Sequence, residues 1–268
     1  MKIIGIGQTT LDKSYVLSDF PLEDSKVEST TMLTSVGGPV ASGLLLCRKF
    51  GHDCELFTQL GDDQAGLEVV SNLHEHHIQV ISQKIPQTLV HTYLVNQRNG
   101  TRTGIKSFVK KSKKLKISLE AIASADVLLL DRHHISDCSQ ILQIARKNTI
   151  IIMDPSTDIS PEVLDLTKKT TIPVLPVESI KRLFPATALK TTLKNLKSVL
   201  GETYIITVGS LGSLLIQNSS VQLFPSVKIK AVDALGAGDV YRAALALALA
   251  EQKPLKMAVQ YANLVAAL

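Results

Sequence analysis

The chain has no tryptophan, and aromatic residues make up only 4% of it. A platform that stacks the bases of single-stranded nucleic acid needs several rings, so the composition argues against that class of function. Cysteine is equally scarce: Cys47, Cys54 and Cys138 stand in no metal-binding or redox spacing. Three such thiols are expected to stay reduced, which points to a cytoplasmic protein. No apolar run is long enough to span a bilayer, and the N-terminus MKIIGIGQTTLD enters a strand pattern directly, with no signal-peptide features. No GxxxxGK[ST] sequence occurs, so phosphate binding by a standard P-loop is excluded. Gly5 and Gly7 form G-x-G without a third glycine, an incomplete dinucleotide fingerprint. Neither nucleic acid nor a membrane is therefore expected as a partner.

What is present is ordinary in amount and informative in order. The 268 residues are 45% hydrophobic and 20% charged, enough for one large domain with a substantial core. The net charge of +5 suits a protein that handles phosphate esters, though it is also common in proteins that do not. Residues 2–7 read as a buried parallel strand, with Asp12 just past its carboxyl end. Residues 26–34 read as one or two exposed strands. Gly37, Gly38 and Pro39 mark the entry of a helix that ends at Gly51. A strand over 54–60 and a G-D-D loop at Gly61, Asp62 and Asp63 lead into a helix reaching about His76. Residues 89–95 and 101–108 flank Arg98-Asn99-Gly100, a hairpin signal. The lysine-rich stretch 110–116 reads as a solvated linker. From 127 the order becomes regular. Strands are expected over 127–130, 149–153, 171–175 and 204–208, with helices over 138–146, 161–167, 179–184 and 187–200. Such alternation predicts an α/β fold: a doubly wound, mostly parallel sheet with helices on both faces. The β-rich pieces before Val36 and around 89–108 do not fit the alternation and are expected to form a small separate sheet.

The most informative stretch is 231–249, AVDALGAGDVYRAALALAL. A short β-rich run over 227–232 passes through Gly236-Ala237-Gly238 into an alanine-rich helix. The glycines let the backbone approach a ligand, and the free N–H groups and positive dipole end of the helix converge on one spot that suits an anion. Asp239 follows at once. It reads either as a helix cap or as a base that takes a proton from a hydroxyl attacking a phosphate. The turn alone leaves both readings open.

Asp233-Ala234-Leu235-Gly236-Ala237-Gly238-Asp239 resembles the D-T-x-G-A-G-D signature of the ribokinase-like (PfkB) carbohydrate kinases, with Ala234 in place of Thr. Gly37-Gly38, Gly61-Asp62-Asp63 and Gly209-Ser210-Leu211-Gly212 match further family motifs in the right order. The resemblance implies one ribokinase-like domain over 1–268 with a small β-sheet lid formed by insertions about 12–35 and 85–108. It implies an ATP-dependent kinase of a small sugar, with Asp239 as catalytic base and Gly236, Ala237 and Gly238 as the anion hole. Sugar contacts would be Asp12, Asp24, Gly37, Gly38, Ser42 and Arg102. Thr207, Gly209, Ser210 and Gly212 would line the nucleotide. Mg²⁺ would accompany ATP with no protein metal ligand assigned, dependence on a monovalent cation stays open, and a homodimer through the lid is implied. Pro21 to Ser25 (P-L-E-D-S) and Asn99 to Thr103 (N-G-T-R-T) resemble ketohexokinases, and the segments around Asp131 and 154–160 resemble sulfofructose kinase, so the substrate is expected to be a ketose or a ketose derivative.

Four departures from the family pattern stand out. Ser42 replaces the family's Asn. The N-x-x-E motif is absent, with Glu178 nearby as a substitute or an exposed helix start. Arg242, in the first turn of the catalytic helix, reads as a solvated charge or a phosphate contact. Relatives continue past Leu268 with elements that finish the nucleotide side. Two alternatives follow: a nucleoside kinase of the same superfamily, and a non-catalytic relative that binds sugar or nucleotide. Histidines 74, 76 and 77 read as a solvated helix end, while His133 or His134 is placed to line the sugar pocket.

Overall fold

The computed structural model describes residues 1–107, 114–185, 187–229 and 235–268. The chain begins with β1 (Lys2–Ile6), β2 (Thr10–Leu17) and β3 (Thr31–Gly37), then α1 (Pro39–Lys49), β4 (Asp53–Gly61), α2 (Gln64–Glu75), β5 (Ile78–Ile85), β6 (Leu89–Asn96) and β7 (Arg102–Lys106). It continues through α3 (Leu119–Ser124), β8 (Val127–Asp131), α4 (Ile135–Ile144), β9 (Ile150–Asp154), α5 (Pro161–Lys168), β10 (Val174–Pro176), α6 (Val177–Leu183) and α7 (Leu189–Leu200). It closes with β11 (Thr203–Thr207), β12 (Ser213–Gln217), β13 (Ser220–Phe224), α8 (Ala237–Ala250) and α9 (Leu255–Ala267).

One sheet runs β5-β4-β1-β8-β9, all parallel. A second runs β10-β11-β12-β13, parallel at β10-β11 and antiparallel beyond. Thr171 joins them: its N–H donates to the Ile151 carbonyl at 2.9 Å and its hydroxyl accepts from the Ile151 N–H at 2.8 Å. Ile3, Ile4 and Ile6 on β1 and every residue of β8 are buried, as strands covered by helices on both faces must be. The third sheet, β3-β2-β6-β7, is the lid. Its β6-β7 hairpin is antiparallel, with Val95 opposite Arg102, as the R-N-G signal predicts.

Helix α8 shows why an alanine-rich segment folds this way. Tyr241 to Ala248 are buried without a break, so the helix lies inside the structure rather than on its surface. It packs on α1, where a Cβ on Gly43 would stand 3.3 Å from the Ala243 Cβ. Small side chains thus set the close approach that brings the start of α8 beside the start of α1. The start of α1 is fixed by Gly38, whose φ of 103° strongly favours glycine, followed by Pro39 at the first helical position.

Several expectations need correction. Asp12 is not in a loop after β1: it is the third residue of β2, whose mixed composition hid it. Residues 26–29 carry no strand, and β3 begins at Thr31. Residues 227–229 are not in a strand, and 230–232 lie outside the described residues, as do Asp233 and Ala234 of the signature. Of the lysine-rich stretch, 110–113 lie outside too, and Leu115 is buried between exposed Lys114 and Lys116. The strands β5, β12 and β13 and the helix α9 went unread. β12 and β13 are joined by Asn218 and Ser219, both at positive φ (48° and 70°), a two-residue hairpin loop without the expected glycine.

Candidate active site

Open α/β sheets bind ligands beyond the carboxyl ends of their strands, and the fold brings three such ends together under the lid. Past β1 come Gly7 and Gln8, β8 ends in Asp131, and β9 ends in Asp154. The first turns of α1 and α8 enter from one side. Together with the lid they enclose a cavity of about 390 Å³.

The lid contributes a row of side chains set by register. Asp12 on β2 is the partner of Ser35 on β3 and of His91 on β6, and His91 is the partner of Lys106 on β7. All four line the cavity, as does Tyr93 one pleat further along. The Tyr93 ring lies against Gly104, where a Cβ would stand 3.0 Å from a ring carbon. Asp12 is 4% exposed and accepts a 2.6 Å hydrogen bond from the Thr10 hydroxyl, with His91 Nδ1 3.6 Å away. Burial raises its carboxyl above the ordinary range, against the pull of Thr10, His91 and Lys106. Burial likewise lowers His91, although Asp12 opposes it.

The opposite wall holds three carboxylates. Asp131 is fully buried and accepts the Gln8 N–H at 2.7 Å and the His133 N–H at 2.8 Å. Desolvation pushes it up to about 7 in spite of those bonds. Asp154 accepts the Ser156 N–H at 2.8 Å and pairs with Arg242 at 2.9 Å. Asp239 is the third residue of α8, while Gly236, in the left-handed conformation at φ 78°, occupies the cap position. The cap reading of Asp239 is thereby replaced: its carboxyl faces the cavity from the first helical turn. Burial, reinforced by the charges of Asp154 and Asp12, pushes it up to about 7, and Arg242 and Arg102 pull it back down.

Of the residues expected from the sequence, Asp12, Gly37, Gly38, Ser42, Gly236 and Asp239 line this one cavity. Ala237 and Gly238 form the first turn behind Gly236. Arg102 begins β7 and is exposed, yet its charge is felt at both Tyr93 and Asp239. Asp24 is exposed on the loop between β2 and β3, at φ 57°, and does not line the cavity. Thr207, Gly209, Ser210 and Gly212 cluster at the carboxyl end of β11, in the second sheet. There Gly212, at φ 102°, is hemmed by the Phe224 carbonyl, 2.1 Å from where a Cβ would stand. His133 lines the cavity, and His134 is buried 3.7 Å from Asp137. His74, His76 and His77 end α2 at the surface, and the described residues contain no cluster of metal-ligating side chains.

The sequence reading missed Gln8, Thr10, His91, Tyr93, Lys106 and Arg132, which also line the cavity. Neither 10–16 (TLDKSYV) nor 89–95 (LVHTYLV) alternates polar with apolar residues, so no periodicity marked which side chains of the lid strands face the cavity. Arg242 is not a solvated charge: it is 7% exposed and ion-paired. Glu178 is an exposed residue in the first turn of α6.

A glycine turn at a helix start, a carboxyl poised near neutrality and a polar, partly open cavity form an arrangement suited to phosphoryl transfer to a hydroxyl. The pfkB family carbohydrate kinase model matches residues 2–268. The chain belongs to the pfkB family of carbohydrate kinases. It is 26% identical over 273 residues to a ribokinase of Bacillus subtilis (strain 168), covering 98% of this chain and 90% of that protein. In structure it is similar to the ribokinase of Thermotoga maritima, with a TM-score of 0.80 and 23% identity, covering 99% of this chain and 91% of that one. It is also similar to the adenosine kinase of Sinorhizobium meliloti, with a TM-score of 0.82 and 15% identity over 99% and 92%. This protein is therefore a kinase with the ribokinase-like α/β fold and a small lid sheet. Among the described residues, no helix is long and apolar enough to cross a membrane.

Proposed function

We propose that this kinase transfers the γ-phosphate of ATP to a hydroxyl of a small sugar, with residues 1–268 acting as one unit whose lid segments are about 12–35 and 85–108. The observation that carries the proposal is Asp239. It stands in the first turn of α8, faces the cavity, and its carboxyl is pushed up to about 7. A group near neutrality can take a proton from a hydroxyl and release it again. The amides of the Gly236–Gly238 turn stabilise the transferring oxygens at the positive end of the helix. Asp12, Gly37, Gly38 and Ser42 hold the sugar, and Thr207, Gly209, Ser210 and Gly212 line the nucleotide. Mg²⁺ neutralises the phosphates when bound.

Arg102 is a sugar contact made when the lid closes, and the same movement would have to bring in Asp24. A ketose or ketose derivative is supported by the ketohexokinase-like stretches at 21–25 and 99–103. The ribokinase names of the relatives place ribose beside it as a candidate, and the adenosine kinase neighbour keeps a nucleoside as the second reading. Exposed Met32, Leu33 and Ile105 on the lid support a homodimer through that sheet, since apolar strands left uncovered invite pairing. Sedimentation showing only monomer at micromolar concentration would remove the dimer.

The test is a coupled assay with ATP, Mg²⁺ and a panel of ribose, ketoses, ketose derivatives and nucleosides, run on the parent and on Asp239→Asn. Loss of a base typically costs on the order of 10²–10⁴-fold. Turnover on no compound, or Asp239→Asn within a few-fold of an active parent, defeats the reading.

A further inference from the structure

A buried arginine in the first turn of the catalytic helix needs a reason. Arg242 is 7% exposed, and among the described residues its Nε has no hydrogen-bond partner. Burying a guanidinium with a donor unsatisfied is costly, and an apolar side chain of similar volume would serve packing at least as well. Its contacts show what the charge does. Nη2 lies 2.9 Å from Asp154 Oδ1, at the end of β9. Nη1 donates to the Gly238 carbonyl at 3.2 Å and lies 3.8 Å from Asp239 Oδ1. The i, i+3 spacing puts Arg242 and Asp239 on one helix face. One guanidinium thus ties the end of β9 to the turn that carries the base.

We propose that Arg242 is a positioning residue for Asp239: clamped on Asp154, it fixes the carboxylate beside the Gly236–Gly238 turn and supplies the positive charge that compensates it. The groups facing Asp239 come from five elements. Asp154 on β9 and Asp12 on β2 disfavour its ionised form, while Arg242 on α8 and Arg102 on β7 favour it, and Tyr93 on β6 is neutral until high pH. Lys106, Arg132 and Asp131 also line the cavity. Of the two cations that favour the ionised form, Arg102 sits on the exposed lid strand and Arg242 inside the core. Arg242 therefore acts whether the lid is open or closed.

This inference rests on the kinase reading, so its test includes a readout that does not require turnover. Asp239 is titrated by ¹³C-carboxyl NMR in the parent and in Arg242→Gln, the signal being assigned by its loss in Asp239→Asn. An opposite charge within about 4–6 Å lowers an aspartate by about 1–3 pH units. Removing Arg242 should therefore raise the midpoint by about one unit or more, and the acid limb of kcat/KM should move up with it. Arg242→Lys keeps the charge but not the two-pronged reach, and should fall between parent and Arg242→Gln. If Arg242→Gln does not fold, Arg242→Lys carries the test alone: with the charge kept but the two-pronged reach lost, the midpoint should still lie above the parent's. An Asp239 midpoint unmoved in Arg242→Gln, or unmoved in Arg242→Lys where Arg242→Gln does not fold, overturns the proposal. A parent with no kinase activity would sink the kinase reading while leaving the NMR result to stand alone.

Discussion

Gly37→Ala is the change whose consequence follows most directly from the geometry. A Cβ at this position would stand 2.2 Å from the carboxyl carbon of Asp12. Ordinary contacts begin more than an ångström farther out, so one of the two must move. Gly37 is pinned by its pairing with Thr10, two residues from Asp12 on β2. The Asp12 side chain can turn away more readily than two paired strands can part. Turning it away breaks the 2.6 Å bond from Thr10 and removes the carboxylate from the cavity, where the proposed function has it hold the sugar. A hydrogen bond to a charged group is worth about 1.5–3 kcal/mol. The sugar KM should therefore rise roughly 10- to 100-fold, at about 1.4 kcal/mol per decade, with little change in the KM for ATP. The assay is steady-state coupled kinetics on Gly37→Ala, Asp12→Ala and the double variant. If Gly37 matters because it houses Asp12, its substitution should cost almost nothing once Asp12 is alanine. A folded Gly37→Ala with an unchanged sugar KM, or a double variant whose losses simply multiply, would refute this account.

Three further outcomes are expected. Because Asp239 is pushed up to about 7 and must be ionised to accept a proton, kcat/KM should be level above neutrality and fall about tenfold per unit below it. A rate that stays flat down to pH 5.5 would exclude Asp239 as the base. Arg102→Ala should raise KM for the sugar far more than for ATP, by about 1.5–3 kcal/mol if the substrate is anionic and by less, with little salt dependence, if it is neutral. An unchanged sugar KM would remove Arg102 from the site. Asp131→Asn leaves one of the Gln8 and His133 N–H groups facing an amide NH₂ and should cost about 1–3 kcal/mol in urea unfolding. The parent carboxyl, pushed up to about 7, loses its stabilising contribution as pH rises from about 4 through 7. The penalty of the substitution should therefore be largest at about pH 4, shrink as pH rises to about 7 and stay level above that. A penalty that grows with pH would contradict the raised value.

The parallel core was legible because its strands are short apolar runs separated by helix-period segments. Residues 127–130 and 149–153 needed no further information to be placed. The lid was only half legible. The hairpin at 98–100 announced itself, but β2 did not, since Thr10, Asp12, Ser14 and Val16 mix polar and apolar residues on one face. Asp12 was thus picked out as a cavity residue from the wrong element. β12 and β13 were lost because Asn218 and Ser219 take the left-handed conformation that glycine usually signals. Arg242 was misread for a different reason. A charged residue in a first helical turn is ordinarily solvated, and only the tertiary fold shows that Asp154, 88 positions earlier, is its partner.

The glycines that drew attention in the sequence have a second role that the turn motifs do not suggest. Cβ atoms on Gly7 and Gly37 would collide with the carboxylates of Asp131 and Asp12 at 2.6 and 2.2 Å, and one on Gly38 with the Gln8 carbonyl at 2.2 Å. At Gly37 and Gly38 the vacated Cβ position is filled by oxygen-bearing groups, and at Gly7 it is shared by the Asp131 carboxylate and a Val40 methyl 2.5 Å away. A buried carboxylate needs donors close on every side, and a backbone carrying Cβ atoms cannot come that close. The pocket is thus polar because its glycines admit oxygen atoms where side chains would otherwise stand. The same substitution, glycine to alanine, should for that reason act through different carboxylates at different places: through Asp12 and sugar affinity at Gly37, and through Asp131 and stability at Gly7.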